Sequence, residues 1–153
     1  MEQNEQAQPG FSIEKVFVKD LSIEVPHAPE IFLEQASPEI QIQLQTQGRM
    51  VAEDIFEVVL TVAVNARAGE KNYFLVEVSQ AGVFRLQNVP QEQVEPLLAV
   101  GCPNILFPYA REAVSDAVSR AGFPPVMLQP VNFEAMYLAR LQEAQQAAGE
   151  SLQ

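Results

Sequence analysis

From Phe11 to Val25 the chain alternates, with Phe11, Ile13, Phe17, Leu21, Ile23 and Val25 on one side. Ser12, Glu14, Val16, Val18, Asp20, Ser22 and Glu24 fall on the other. A period of two belongs to a strand with one buried and one wet face, so Asp20 and Glu24 are expected on the solvent side. Pro26, Pro29 and Pro38 punctuate the next stretch, and Ile31 and Phe32 sit where proline forbids a central strand; a long crossing loop is expected. Glu39 to Gln47 alternates again, Ile40, Ile42 and Leu44 against Gln41, Gln43, Gln45 and Gln47. Gly48 to Asp54 reads as a turn. Ile55 to Arg67 places Phe56, Val58, Leu60, Val62 and Val64 on one face. Ala68-Gly69-Glu70-Lys71 turns the chain into Tyr73 to Ala81, where Phe74, Val76 and Val78 oppose Tyr73, Leu75, Glu77 and Ser79. These last two strands form a hairpin, ended at Ala81-Gly82.

After Pro90 the spacing changes to three and four. Phe107, Ala110, Val114, Ala117, Val118 and Ala121 form the stripe of an amphipathic helix, with Pro108 suited to its first turn and Gly122 to its C-terminal cap. Phe123 to Val131 is an apolar loop with three prolines around Val126, Met127 and Leu128. Asn132 caps a second helix carrying Phe133, Met136, Tyr137, Arg140 and Leu141. Strands followed by helices predict an α+β fold: a four-stranded antiparallel sheet with a long helix and a C-terminal helix. The expected division is a flexible acidic and polar tail over 1–10, one domain over 11–144, and a flexible tail over 145–153, where no apolar stripe remains.

Composition narrows the function. The 153 residues carry 20 acids and 9 bases, a net charge of −11, and an excess of eight negative charges lies within Met1 to Glu57. The bases never cluster, so phosphate backbones are repelled and nucleic acid is not an expected partner; a basic partner suits better. No apolar run approaches the roughly 20 residues of a bilayer-spanning helix. The first ten residues lack the basic and apolar blocks of a secretory signal, so the protein is expected to stay in the cytoplasm. The single cysteine, Cys102, fits a reducing compartment.

Candidate chemistry is thin. His27, the only histidine, lies in Pro26-His27-Ala28-Pro29 with no triad or zinc partners nearby in sequence. Cys102 precedes Pro103 in apolar surroundings and is expected to be a protonated, buried packing residue. Glu53 and Asp54 are neighbours and point apart, which suits solvated charges rather than an acid and base pair. No glycine-rich phosphate loop and no G-x-S-x-G occurs. No enzyme, no metal and no cofactor is expected. Apolar side chains instead occupy loops: Ile31 and Phe32 in one, Val126, Met127 and Leu128 in another. Such loops either cap the core or form a surface that accepts varied apolar segments.

The run Gly101-Cys102-Pro103-Asn104-Ile105-Leu106-Phe107-Pro108-Tyr109-Ala110-Arg111-Glu112, followed by Phe123-Pro124 and Pro130-Val131-Asn132-Phe133, resembles the SecB family of protein-export chaperones. The likeness extends through Lys19-Asp20, Ala28-Pro29, Pro38-Glu39, Glu57-Val58-Val59-Leu60 and Phe74-Leu75, leaving only the tails outside. The resemblance implies an ATP-independent holding chaperone in the bacterial cytoplasm. It binds unfolded secretory precursors, keeps them competent for translocation and passes them to the SecA motor. It also implies a homotetramer, a dimer of dimers, with the long helices between the sheets and no insertion into the membrane. Its SecA-binding residues match Asp20, Glu24, Leu75 and Glu77, on the wet strand faces. Its client-binding grooves match Ile31, Phe32, Val126, Met127, Leu128, Met136 and Tyr137. Two departures stand out: the chain has no tryptophan, and Ala36 stands where relatives can carry a large aromatic. A SecB-like chaperone of an antitoxin, and a non-enzymatic module binding apolar ligands, remain alternative functions.

Overall fold

The long alternating runs become long strands. In the computed structural model, which describes residues 8–150, β1 spans Gly10–Glu24, β2 Glu39–Ala52, β3 Ile55–Ala68 and β4 Lys71–Gln87. They form one antiparallel sheet in the order β1-β4-β3-β2, so the first two strands of the chain are its edges. Three helical segments come next without a break: α1 (Gln91–Pro96), a wide π turn over Leu97–Gly101, and α2 (Cys102–Arg120). A C-terminal helix, α3, runs over Phe133–Glu150. The predicted α+β architecture is the one observed.

β3 and β4 carry the core. Val58, Leu60, Val62 and Val64 from β3 and Val76, Val78 and Phe84 from β4 are buried on one sheet face. Against them α2 sets Leu106, Phe107, Ala110, Val114, Ala117 and Val118, buried at the three- and four-residue spacing of its stripe. α2 lies over β4 and β3 and scarcely reaches β1.

Several boundaries differ from the sequence expectation. β4 does not end at Ala81-Gly82 but runs to Gln87. Gly82 sits there because a Cβ would lie 2.7 Å from the Phe84 ring and 3.1 Å from Leu106. The glycine marks a close approach inside a strand. β2 extends to Ala52, so the turn is only Glu53-Asp54, with Asp54 at φ +60°. Pro108 falls inside α2 rather than in its first turn, and Pro103 takes that place. The π turn falls just ahead of Pro103, which has no N–H to give.

In β1 two bulges interrupt the alternation: one between Ile13 and Lys15 swaps the faces, and one between Val18 and Asp20 swaps them back. Opposing residues in an antiparallel pair share a face. Val16 stands opposite Gly82 and Val18 opposite Gln80, on the helix side, whereas Phe17 opposite Ala81 turns outward. Simple alternation puts each of these three on the wrong side. After the second bulge Leu21 and Ile23 return to the helix side and Asp20, Ser22 and Glu24 to the outer side.

The helix ends obey their predicted caps. Gly122, at φ +96°, closes α2: its N–H donates to Ser119 O at 3.1 Å, and the Phe123 N–H donates to Val118 O at 3.2 Å. The Asn132 side-chain oxygen accepts from the Ala135 N–H at 2.9 Å at the start of α3. Residues 145–150 continue α3 beyond the expected domain end at 144. Gly10, assigned to the N-terminal tail, is the first residue of β1. Gln8 and Pro9 are exposed without regular structure, and residues 1–7 and 151–153 of the expected tails lie outside the described residues. Among the described residues no helix is long and apolar enough to cross a membrane.

Candidate functional site

Two loops without regular pairing meet beside the open end of the sheet. The crossing loop from Val25 to Pro38 contains one short 3-10 turn, Glu30–Leu33, whose Ile31 is buried and anchors the loop in the core. The second is the proline-rich connection between Gly122 and Asn132. Between them lies a groove of about 740 Å³. One wall is Ile31, Phe32, Glu34, Ala36, Ser37 and Pro38; the other is Gly122, Phe123, Pro124, Pro125, Val126 and Met127. Tyr73 and Phe74 of β4 and Ile40 and Ile42 of β2 complete it.

The floor is aromatic. The Phe123 ring lies 4.9 Å from Phe74, 5.2 Å from Phe32 and 6.4 Å from Tyr73, between centroids. Such tilted contacts add to plain area burial. The rim is left open: Phe32 is 48% exposed and Met127 71%. A flexible thioether beside fixed rings suits a surface that fits many apolar shapes.

Two polar contacts, both on Glu34, join the crossing loop to the sheet at this groove. Lys71 Nζ lies 2.6 Å from Glu34 Oε1, and the Tyr73 hydroxyl donates to Glu34 Oε2 at 3.1 Å. The Lys71 ammonium holds the Glu34 carboxyl below its ordinary range, and the carboxylate in turn raises Lys71. Burial, with the carboxylate second, raises the Tyr73 phenol.

Of the seven expected client-contact residues, the structure brings Ile31, Phe32, Val126 and Met127 into this groove. Leu128 is buried in the core instead, only 5% exposed, and does not line this groove. Met136 and Tyr137 stand on α3, and Tyr137 lines a second concavity of about 400 Å³ with Leu98, Ala99 and Leu141. Sequence reasoning missed Ile40, Ile42, Tyr73 and Phe74, which read as ordinary strand residues; only the sheet order makes β2 an edge with its isoleucines uncovered.

The outer sheet face is polar and ordered in rows. Asp20, Ser79, Thr61 and Gln45 oppose one another across the four strands, then Ser22, Glu77, Ala63 and Gln43, then Glu24, Leu75, Asn65 and Gln41. Asp20, Glu24, Leu75 and Glu77 thus share one surface. Small Ala63 lies at the bottom of a hollow of about 340 Å³ edged by Glu24, Leu75 and Glu77. On the same face Glu57, 8% exposed, receives Lys19 at 3.0 and 3.1 Å and Arg49 at 3.1 Å.

Reactive groups are not assembled. Cys102 is fully buried, and loss of solvent pushes its thiol up to about 12, so it stays protonated. His27 is exposed on the crossing loop. Glu53 and Asp54 form the β2–β3 turn. Among the described residues no group of three or more histidine, cysteine or carboxylate side chains is placed to hold a metal.

Residues 4–144 match the family described as preprotein translocase subunit SecB. The chain belongs to the SecB family. The Protein-export protein SecB of Dechloromonas aromatica is 69% identical, over 98% of this chain and 97% of that protein. The SecB of Chromobacterium violaceum is 58% identical over 96% and 97%, and that of an Azoarcus species 61% over 95% and 94%. A solved SecB-like chaperone of Mycobacterium tuberculosis, in complex with a peptide from the HigA1 antitoxin, is similar with a TM-score of 0.65 at 17% identity. The match covers 79% of this chain and 90% of that one, and at that distance it speaks for the fold. The three high-identity SecB relatives are protein-export proteins, which places the chain with the export chaperones rather than with an antitoxin chaperone. SecB is a chaperone family, not an enzyme family.

Proposed function

We propose that this SecB-family protein holds unfolded export precursors in the groove between its two loops, without ATP, and hands them to SecA through the outer sheet face. The observation that carries this reading is the groove itself: apolar, floored by Phe32, Phe74 and Phe123, and uncovered. An unfolded chain offers separated apolar side chains. Each buried side chain gains at about 25 cal/mol per Å², less the cost of ordering it. Several weak contacts along one client multiply in affinity. A folded protein has hidden these segments, so selection comes from slow folding and needs no sequence motif. Phe32, Met127 and Val126 are the client contacts within this groove, with Ile31 buried beneath them as the anchor of the loop; Met136 and Tyr137 on α3 extend the contact surface.

The acid-rich outer face suits a basic partner. Asp20, Glu24, Leu75 and Glu77 form the docking surface for the basic segment of SecA in this reading. The groove and this face have no lining residue in common, which leaves both usable at once. The helix-side surface of β1 supports a self-associated state: Phe11, Ile13, Val18, Leu21 and Ile23 are each 37–50% exposed on an edge strand that pairs on one side only. A second copy covers them in the proposed homotetramer, a dimer of dimers, acting in the bacterial cytoplasm.

The test is suppression of aggregation of a denatured, slow-folding precursor by the full-length protein and by Phe32→Ser with Met127→Ser. The parent should keep the client soluble and the double variant should lose most of that protection. Equal protection by both would remove the groove from the mechanism.

A further inference from the structure

The stretch from Glu34 to Pro38 forms the outer edge of the groove and makes no regular backbone pairing. The backbone hydrogen bonds of the crossing loop are local, from Ala28 to Val25, Ile31 to His27, Phe32 to Pro29 and Glu34 to Ile31. Among the described residues, the side-chain hydrogen bonds that tie this loop to the sheet both end on Glu34. Its two oxygens divide the work: one meets Lys71 at 2.6 Å, the other the Tyr73 hydroxyl at 3.1 Å. Tyr73 then continues inward, 4% exposed, with its ring against Phe123, which stacks on Phe32 of the crossing loop itself. The loop is therefore held at two points by one tyrosine, through its hydroxyl at the rim and through its ring at the floor.

We propose that Glu34 is the pin of the groove: its carboxylate, shared between Lys71 and Tyr73, positions the crossing loop so that Phe32 faces Phe123 at a width suited to a client side chain. Glu34 is a positioning residue, acting through Tyr73 and Lys71. The role rests on the reading of the groove as the client site. The ion pair is half exposed, so salt weakens it while leaving the aromatic floor intact. Groove width, and with it the lifetime of a bound client, becomes sensitive to ionic strength.

The experiment compares the full-length protein with Glu34→Gln, which removes the charge facing Lys71, and Tyr73→Phe, which keeps the ring and removes the hydroxyl. Amide hydrogen exchange, with no client present, reads the Phe32 and Glu34 N–H groups of the 3-10 turn. Release of a fluorescently labelled denatured precursor is timed separately at low and high salt. In both variants exchange at the turn should quicken and release should be about two- to fivefold faster at low salt, the range of a half-exposed ion pair. High salt should bring the parent to the rate of Glu34→Gln. The reciprocal exchange, Glu34→Lys with Lys71→Glu, which restores the ion pair but not the acceptor for the Tyr73 hydroxyl, should recover the salt-sensitive part of slow release. Unchanged exchange at the turn in both variants overturns the pin. Quickened exchange with unchanged release, from a parent that does retain the precursor, also overturns it. A parent that retains no precursor indicts the client-site reading instead, and the exchange arm then decides whether the pin exists.

Discussion

Lys19 on β1 reaches over β4 to place its ammonium 3.0 and 3.1 Å from the two carboxylate oxygens of Glu57 on β3. These strands do not pair with one another, and Arg49 brings in a third, β2, at 3.1 Å. One carboxylate thus ties both edges of the sheet to its centre. Replacing Glu57 by Ala should lower unfolding stability by about 1–2 kcal/mol in urea titrations at neutral pH.

The same carboxylate predicts a pH dependence. Hydrogen bonding from Lys19, with Arg49 adding to it, lowers the Glu57 pKa from its ordinary 4.5. A depressed folded-state pKa contributes stability above the unfolded value, and that contribution is lost as pH falls through the folded one. The stability gap between parent and Glu57→Ala should therefore be full above about pH 5 and close progressively below 4.5, read by urea midpoints across that range.

Gly82 offers a steric test of the core. Gly82→Ala forces the Phe84 ring and Leu106 apart from positions 2.7 and 3.1 Å from the new methyl. Overpacking of this kind costs about 1–3 kcal/mol. The loss should appear as a lower denaturation midpoint with an unchanged slope.

For the outer face, Asp20→Ala with Glu24→Ala should weaken binding of the isolated basic SecA segment while leaving precursor retention unchanged. Both carboxylates lie on the surface opposite to the core, so stability should move little. Calorimetry with the segment checks it, and equal affinity would remove these residues from the docking surface.

The uncovered β1 surface predicts a mass by light scattering of about four times that of one chain. Leu21→Asp with Ile23→Asp should shift the population to smaller species. A parent that stays monomeric at micromolar concentration would end the tetramer reading.

Much of this fold is legible because β3, β4 and α2 obey simple periods: Val58 to Val64 and Ala110 to Val118 are buried where alternation and helical spacing place them. β1 resists because a bulge inserts a residue with no compositional signal, so Phe17 and its neighbours change sides. The end of β4 is hidden from a reading of the chain because Gly82, which a turn would use, here serves close packing. The groove is half visible. Ile31, Phe32, Val126 and Met127 betray themselves as apolar residues in loops, whereas Tyr73, Phe74, Ile40 and Ile42 join the site only through strand order, a long-range property.

Gly122 couples two parts of the molecule that look unrelated. It ends α2 in a left-handed turn, and the space its missing side chain leaves is filled by the edge of the Phe32 ring, 3.0 Å from where a Cβ would stand. Any other residue there would strain the backbone and press the ring back by a few tenths of an ångström. The stop of the helix and the wall of the groove thus meet at one residue, where a lone hydrogen atom leaves room for both.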